Sequence, residues 1–362
     1  MRSLSVRALA LVTTIAVVSC NKQSAVEKLN PDGNAVAATA EPSRDARLLA
    51  DLFKSAAPKT SFFTVSAKQP GTLSTPNGTR YTIPPGALRR KDGSVPTGPV
   101  SVAIREVYSP KDFVLTNRPT ATNGQYLLSY GEFFVRATEG GADLTLAAPI
   151  AVQAPVRAQV RPQEKVPMWD GDTSVYFTVN GHNQFNQPTS VIQPASQDPG
   201  INWNAAPDFA LFNPGTGTLD FQLSQLIQWR NCDVFSGTTG PKTTVLGYFN
   251  IYNDDTPSSS PEQPSMLFFK PKTINSVVKF FNIILNAPNG FKGFLSYQNV
   301  IPVGQQGSFL AITALGGQFY AELKDVTIAP PASGTNYTPV SFNLQPVTGA
   351  QLLTLIADLN NR

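Results

Sequence analysis

Short runs of alternating apolar and polar residues recur from Thr60 onward, and residues that favour turns separate them. Phe62 to Ala67 alternates in this way, and Pro76-Asn77-Gly78 is followed by a second run from Thr79 to Ile83. Alternation with a period of two buries one face of a β-strand, and Asn-Gly tolerates the positive φ of a tight hairpin turn. With 31 prolines, 26 glycines and only 14% charged residues, the chain is predicted to consist mainly of short strands.

Two β-sandwich domains in tandem, followed by a short C-terminal α-helix, form the predicted architecture, which is therefore mainly β. The chain has 362 residues, and a single hydrophobic core rarely grows beyond a few hundred. Strand-like runs resume from Thr243, and Gly316-Gly317 has the composition of a hairpin turn. Near the end, Thr348 and Gln351 have the spacing of a capping box ahead of an amphipathic helical pattern.

The N-terminus has the organisation of an export signal. Arg2 and Arg7 precede a mostly apolar run from Ala8 to Val18, which is too short to span a bilayer because about 20 apolar residues are needed. The run ends in Val17-Val18-Ser19-Cys20, which resembles the lipobox of bacterial lipoproteins. This resemblance implies that the leader is removed and that Cys20 is the lipidation site. Fatty acids such as palmitate would then anchor the chain in the cell envelope, and the outer membrane is the expected location. The alternative is an ordinary secretory signal with a chance cysteine.

A second resemblance begins near residue 60. The segments Gly71-Thr72-Leu73 and Ile83-Pro84-Pro85-Gly86-Ala87-Leu88 look like the signature of the ZU5 domain, and Gly131-Glu132-Phe133-Phe134-Val135 is similar to its bacterial branch. The family implies a β-sandwich and occurs in ankyrins, netrin receptors and bacterial surface lipoproteins. Some members cleave themselves at a His-Phe-Ser or His-Phe-Pro motif, but the single histidine, His182, is not part of one. The run from Gln228 to Phe235 looks like a segment of the same lipoprotein group.

The predicted domain boundaries follow from these patterns, and Ser43 is the predicted N-cap of a short helix before the first sandwich. The segments are a signal peptide over 1–19, a flexible tether with the short helix over 20–58, a ZU5-like β-sandwich over 59–160, connecting hairpins and loops over 161–228, and a second β-sandwich with the C-terminal helix over 229–362.

Catalytic and metal-binding motifs are absent from the sequence. His182 lies in an Asn-Gly-His-Asn context that predicts a turn, and no G-x-S-x-G nucleophile elbow occurs. A zinc site needs several His or Cys ligands, whereas the mature chain would hold only His182 and Cys232. Asp170-Gly171-Asp172 could begin a calcium loop, but it lacks the later glutamate and is better explained as a β-turn. No catalytic residue, metal or cofactor is therefore expected.

Trp203 and Cys232 are the remaining candidates for a specific role. Trp203 lies between two asparagines, which predicts a polar loop, so it is the candidate ligand-binding residue, with Tyr126, Tyr130 and Tyr252 as companions. The alternative is that these aromatic rings anchor loops to the core. Cys232 has no second cysteine to pair with once the first is lipidated, and its apolar neighbours favour a buried, structural thiol over a reactive one.

The expected function is a non-catalytic binding or structural role for a lipoprotein whose partners are the membrane and an envelope protein or glycan. The alternative is an envelope glycan hydrolase, because its pair of carboxylates would come from distant strands and leave no motif. A cleft holding two carboxyl groups roughly 5 to 9 Å apart would favour that alternative. Because 28 basic residues face 24 acidic ones and no basic stripe is present, a nucleic-acid partner is not expected.

Overall fold

A computed structural model describes most of the chain from Ser43 onward. The predicted leader and Cys20, the predicted lipidation site, lie outside the described residues. The described residues belong to one compact unit, Ala40–Arg362, and none of their helices is both long and apolar enough to cross a membrane. The structure describes residues 43–122, 124–158, 160–172, 201–237, 239–253, 263–280 and 293–362, and the backbone alone of 177–182 and 188–193.

Helices flank the sheets at both ends of the described chain. The Ser43 hydroxyl accepts a hydrogen bond from the amide of Ala46, and Thr348 and Gln351 form a complete capping box, so both predicted helices are confirmed. The short middle helix was missed because six residues do not establish a helical period, although Ser109 as N-cap and Pro110 at the first helical position are a start signal for it. The helices are α1 Arg44–Ala56, α2 Pro110–Leu115 and α3 Gly349–Asp358, with a 3₁₀ turn at Leu359–Asn361.

The described residues are mainly β, as predicted. The strands are β1 Ser61–Ser66, β2 Gly71–Ser74, β3 Arg80–Ile83, β4 Leu88–Arg89, β5 Pro99–Val107, β6 Ala121–Thr122, β7 Gln125–Glu139, β8 Ala142–Asp143, β9 Thr145–Leu146, β10 Ile150–Pro155, β11 Lys165–Asp172, β12 Phe177–His182, β13 Pro188–Gln193, β14 Asn202–Asn213, β15 Thr218–Leu223, β16 Trp229–Phe235, β17 Lys242–Phe249, β18 Ser265–Pro271, β19 Val278–Lys279, β20 Gly293–Leu295, β21 Ile301–Pro302, β22 Gln306–Leu315, β23 Gln318–Thr327, β24 Tyr337–Phe342 and β25 Gln345–Val347.

The largest sheet has 12 strands and runs β1-β5-β7-β16-β11-β14-β15-β10-β3-β2, with β6 and β8 paired to β7. Strands from both ends of this sheet contribute to one buried core, which therefore lies between two layers of the same folded-over sheet. Members of this core include Tyr81, Val102, Phe133, Val152, Met168 and Phe221.

A second set of strands follows in the last third of the chain. Strands β19-β18-β22-β23-β25 form one sheet, and β20-β17-β21 form another, to which β24 adds in parallel with β17. Their buried core is rich in aromatic rings. It includes Val245, Phe269, Phe294, Phe309 and Phe342.

A third apolar cluster joins these two parts of the molecule. It combines the buried faces of α1 and α3 with tryptophans of the large sheet and side chains of β18 and β22. Its members include Leu49, Phe53, Trp169, Trp203, Trp229, Met266, Leu310, Leu352 and Ile356. This shared cluster explains why the described residues form one compact unit rather than separable domains.

The predicted start of the second sandwich at residue 229 needs correction. Strand β16 lies inside the large sheet, where Trp229 pairs with Phe134 of β7 and Cys232 pairs with Met168 of β11. The segment 161–228, predicted to be connecting hairpins and loops, contributes β11, β14 and β15 to that same sheet. Strand alternation reveals which face is buried but not which sheet a strand joins, because pairing depends on distant partners.

Candidate functional site

A cleft of about 780 Å³ opens where the large sheet, α2 and the C-terminal 3₁₀ turn meet the loop after β18. This volume lies within the range typical of small-molecule sites, which is roughly 300–1,000 Å³. Segments far apart in the sequence form its wall, so only the folded chain creates it. Polar and charged residues of the wall include Lys59, Asn77, Glu106, Tyr108, Lys111, Asp112, Arg157, Lys270, Asn275 and Arg362.

Glu106 is a buried carboxylate at the floor of this cleft. Its oxygens accept hydrogen bonds from Thr75 Oγ1 at 3.0 and 3.1 Å, from Asn77 Nδ2 at 2.8 Å and from Tyr81 Oη at 2.9 Å. Burial, and the nearby Glu106 charge, raise the pKa of Tyr81 well above its usual value, so this phenol remains a donor. The carboxylate therefore holds the β2–β3 turn against β5.

Sequence reasoning missed Glu106, although a signal for it exists. In β5 the buried positions alternate, and Glu106 follows Val100, Val102 and Ile104 on the same face. A charged residue on the buried face of a strand is uncommon unless it is hydrogen-bonded, so this alternation could have identified it.

Arg157 lies over the neighbouring aromatic ring of the cleft wall. Its guanidinium carbon is 5.2 Å from the centre of the Tyr108 ring, and Nη2 donates to the carbonyl oxygen of Asn77 at 2.6 Å. The Tyr108 hydroxyl is in turn 2.7 Å from Thr79 Oγ1, and burial raises its pKa above the usual range. A stacked, hydrogen-bonded arginine of this kind is oriented before any ligand arrives.

Lys270 also lines the cleft and is almost completely buried. Its Nζ donates to the main-chain oxygens of Pro271 at 2.7 Å and Arg362 at 2.9 Å. Burial lowers the pKa of Lys270 to about 8, so a fraction of this amine is neutral near neutral pH.

Cations outnumber carboxylates around the cleft. The ionisable side chains of the described wall, other than tyrosine, are Lys59, Lys111, Arg157, Lys270 and Arg362 against Glu106 and Asp112. Both carboxylates have partners within the protein, since Asp112 accepts from the Ser109 hydroxyl at 2.8 Å and Glu106 from the donors above. Among the cations, Arg362 pairs with Asp325 and Lys270 donates to main-chain oxygens, whereas Lys59, Lys111 and Arg157 have no ion pair with another described residue. The cleft therefore presents these three cations more freely than its carboxylates.

A second polar cluster is completely buried and lies apart from the cleft lining. The Gly131–Val135 and Gln228–Phe235 segments, which the sequence analysis singled out, pair across β7 and β16 and bring Glu132 opposite Asn231. Asn231 Nδ2 donates to Asp233 Oδ2 at 2.5 Å, while Ser129 Oγ donates to Asn231 Oδ1 at 3.1 Å. Both oxygens of Glu132 and Asp233 Oδ1 have no hydrogen-bond partner among the described residues.

This cluster changes the protonation of both acids. Burial raises the pKa of Glu132 well above its usual value, the Asp233 charge adds to the rise, and the Arg118 charge opposes it. Burial also raises the pKa of Asp233, to about 8, against the opposing effect of the neighbouring Ser129 and Asn231 side chains. Two neighbouring buried carboxyl groups favour holding protons, because ionising both would place two negative charges in a medium of low polarity.

The prediction for Trp203 needs correction. Trp203 lies on β14 rather than in a polar loop, it is completely buried, and its Nε1 donates to the carbonyl oxygen of Pro119 at 2.9 Å. The flanking asparagines are polar because strand alternation points them away from the core that Trp203 fills. Its ring therefore offers no face to a ligand. Tyr126 and Tyr130 are also buried.

The Asp170-Gly171-Asp172 segment is likewise a strand and not the predicted turn. It ends β11, and Asp170 forms an ion pair of 2.7 Å with the nearly buried Arg230, which also contacts Asp208 at 2.9 Å. Gly171 is required here, since a Cβ would lie 2.4 Å from Ile201 Cδ1. Within the described ranges, no three His, Cys, Asp or Glu residues are grouped so that they could hold a metal ion.

The backbone of His182 belongs to β12, which pairs with β13, so the predicted turn at this position is wrong.

Cys232 is buried, its Sγ is 3.2 Å from Met168 Sδ, and burial raises the pKa of its thiol well above the usual value. These features agree with the structural role predicted for Cys232.

Comparisons with protein-family models, with curated proteins and with solved structures found no match.

Proposed function

We propose that this protein is a lipoprotein anchored in the cell envelope that binds a ligand in its cleft without transforming it. The single observation that carries the binding role is the cleft of about 780 Å³, whose wall holds an oriented arginine and a buried, hydrogen-bonded carboxylate. Support for the anchor comes from the lipobox-like Val17-Val18-Ser19-Cys20. The ZU5-like identity of the first sandwich is part of the same proposal and rests on the Gly71–Leu88 segment.

Binding is favoured over glycan hydrolysis by the state of the cleft carboxylates. A glycosidase needs one carboxylic acid that protonates the leaving group and a second carboxylate directed at the sugar. Glu106 instead accepts hydrogen bonds on both oxygens from Thr75, Asn77 and Tyr81, and Asp112 accepts from Ser109 at the start of α2. These hydrogen bonds give the carboxylates of Glu106 and Asp112 a structural role.

Filling the cleft should abolish ligand retention. Val160 lines the cleft and is 46% exposed, so Val160→Trp adds bulk there with little effect on the core. The protein would be purified from solubilised envelopes, and co-purifying small molecules and partners identified by mass spectrometry. We expect the Val160→Trp chain to retain at most a tenth of the wild-type ligand.

The matched control is Leu315→Trp, at a residue 42% exposed on β22 and outside the cleft lining. It should retain ligand like the wild type. A binding role for this cleft would be overturned if both variants retained the same amount of ligand, or if no ligand co-purified with the wild-type protein.

Loss of the anchor residue should release the protein from the membrane. Because Cys20 is the only residue of the lipobox-like segment with a thiol, Cys20→Ser removes the acyl acceptor. We expect no incorporation of labelled palmitate and a shift of the protein to the soluble fraction, with Cys232→Ala as the control that keeps its label. A Cys20→Ser chain that still carries the lipid label would contradict the proposed anchor.

A further inference from the structure

We propose that the cleft takes a ligand carrying a carboxylate or phosphate group and that Arg157 binds this group directly. The proposal rests on the proposed function, since it names the chemical class of ligand for the same cleft.

The hydrogen-bonding capacity of Arg157 is only partly used. Nη2 donates to the Asn77 carbonyl oxygen at 2.6 Å, and no other hydrogen bond of this guanidinium is formed with the described residues. Nε and Nη1 therefore remain available on an exposed side chain that lines the cleft. Guanidinium groups bind carboxylate and phosphate oxygens through paired N–H groups, and such charge-assisted bonds are roughly twice as strong as neutral ones.

A frame of contacts that range from buried to exposed holds this arginine in place. Its guanidinium lies over Tyr108, whose hydroxyl is 2.7 Å from Thr79 Oγ1 and whose carbonyl oxygen accepts from Asn275 Nδ2 at 3.0 Å. Asn77, which accepts from Arg157, is itself held by Glu106 at 2.8 Å. Because the side chain is already ordered, less conformational entropy is lost when a ligand binds.

The charge of the cleft favours the same class of ligand. Lys59 and Lys111 also line it, and neither has a side-chain ion pair with another described residue. Glu106 is the carboxylate of this frame, but its oxygens accept hydrogen bonds from Thr75, Asn77 and Tyr81. An excess of free cations attracts anions into a cleft, whereas a neutral sugar gains no such electrostatic attraction.

Titration calorimetry on the full-length chain in detergent tests this assignment. The probes are inorganic phosphate, glucuronate as a carboxylate sugar, and glucose as its neutral counterpart. We expect at least one anion to bind at least tenfold more tightly than glucose, and we expect Arg157→Gln to weaken that binding at least tenfold. Arg157→Lys should recover part of the affinity, because it restores the charge without the paired donors.

Arg161→Gln is the matched control, because Arg161 is also exposed and stacks on Phe212 at the same 5.2 Å but lies outside the cleft lining. It should bind like the wild type, and all variants should melt at the same temperature. Preference for phosphate over glucuronate, or the reverse, identifies the anionic group.

Three results would overturn the assignment: neither anion binds, glucose binds as tightly as glucuronate, or Arg157→Gln binds as well as Arg161→Gln. The ligand-retention experiment with Val160→Trp is independent of charge. If Val160→Trp loses a co-purified ligand while any of these three results holds, the cleft is a binding site for a ligand of another class.

Discussion

Replacing Trp203 with alanine is expected to lower the free energy of unfolding by about 3 to 5 kcal/mol, a large part of the stability of an average protein. The side chain is completely buried in the cluster that joins the two parts of the molecule, where Trp169 and Trp229 also lie. Its removal leaves a cavity and takes away the hydrogen bond that the indole Nε1 donates to the Pro119 carbonyl oxygen at 2.9 Å. Urea unfolding followed by far-ultraviolet circular dichroism measures the change.

The neighbouring residue supplies the control for this experiment. Asn204 follows on the same strand and is exposed, and its side chain forms a hydrogen bond only with the half-buried Asn202 side chain among the described residues. Asn204→Ala should change the free energy of unfolding by no more than about 0.5 kcal/mol. A cost below about 1 kcal/mol for Trp203→Ala would contradict the buried position and restore this ring as a candidate for ligand stacking.

The second large effect is a loss of stability as the pH rises through the neutral range. Glu132 and Asp233 have pKa values raised by burial, to about 8 for Asp233, whereas an unfolded chain ionises both near pH 4. Between these values the native state binds more protons than the unfolded state. Their contribution to stability is therefore fully present below about pH 4 and is lost as the pH rises towards 8.

The expected slope is about 1.4 kcal/mol per pH unit for each carboxyl group that titrates in this way. Denaturant unfolding at several pH values between 5 and 8 gives this slope. Asp233→Asn removes one titrating group while retaining an oxygen that can accept from Asn231. We expect the variant to show a flatter pH dependence and to exceed the wild type in stability at pH 8.

A half-exposed acid at the surface provides the comparison for this pH effect. Asp143 pairs with Arg136 at the surface, and that hydrogen bond lowers the pKa of Asp143. The contribution of Asp143 to stability is therefore lost only in acid. Asp143→Asn should leave the pH dependence of the free energy of unfolding between pH 5 and 8 as it is in the wild type. A wild-type stability that stays level or increases between pH 5 and 8 would show that Glu132 and Asp233 ionise normally.

The sequence by itself determined the features that depend on neighbouring residues. Ser43 and the Thr348–Gln351 pair predicted the starts of two helices, because a cap requires only the first turn that follows it. Asn77-Gly78 predicted the turn between β2 and β3, where Gly78 has a φ of +82°. Gly316-Gly317 likewise predicted the turn between β22 and β23. Alternation along the chain predicted a mainly β protein, and the Thr348–Gln351 capping box with the apolar spacing that follows predicted the C-terminal helix.

Only the tertiary structure decided the features that join distant residues. The polar neighbours of Trp203 suggested a loop, but β14 pairs with β11 and turns the indole into the core. Glu132 and Asp233 lie about a hundred residues apart in the sequence and become neighbours only because β16 enters the sheet between β7 and β11. Arg157 reaches Tyr108 for the same reason, through the pairing of β10 with β3. Alternation defines which face of a strand is buried, whereas its partner and register are selected by the packing of the whole chain, which no local pattern contains.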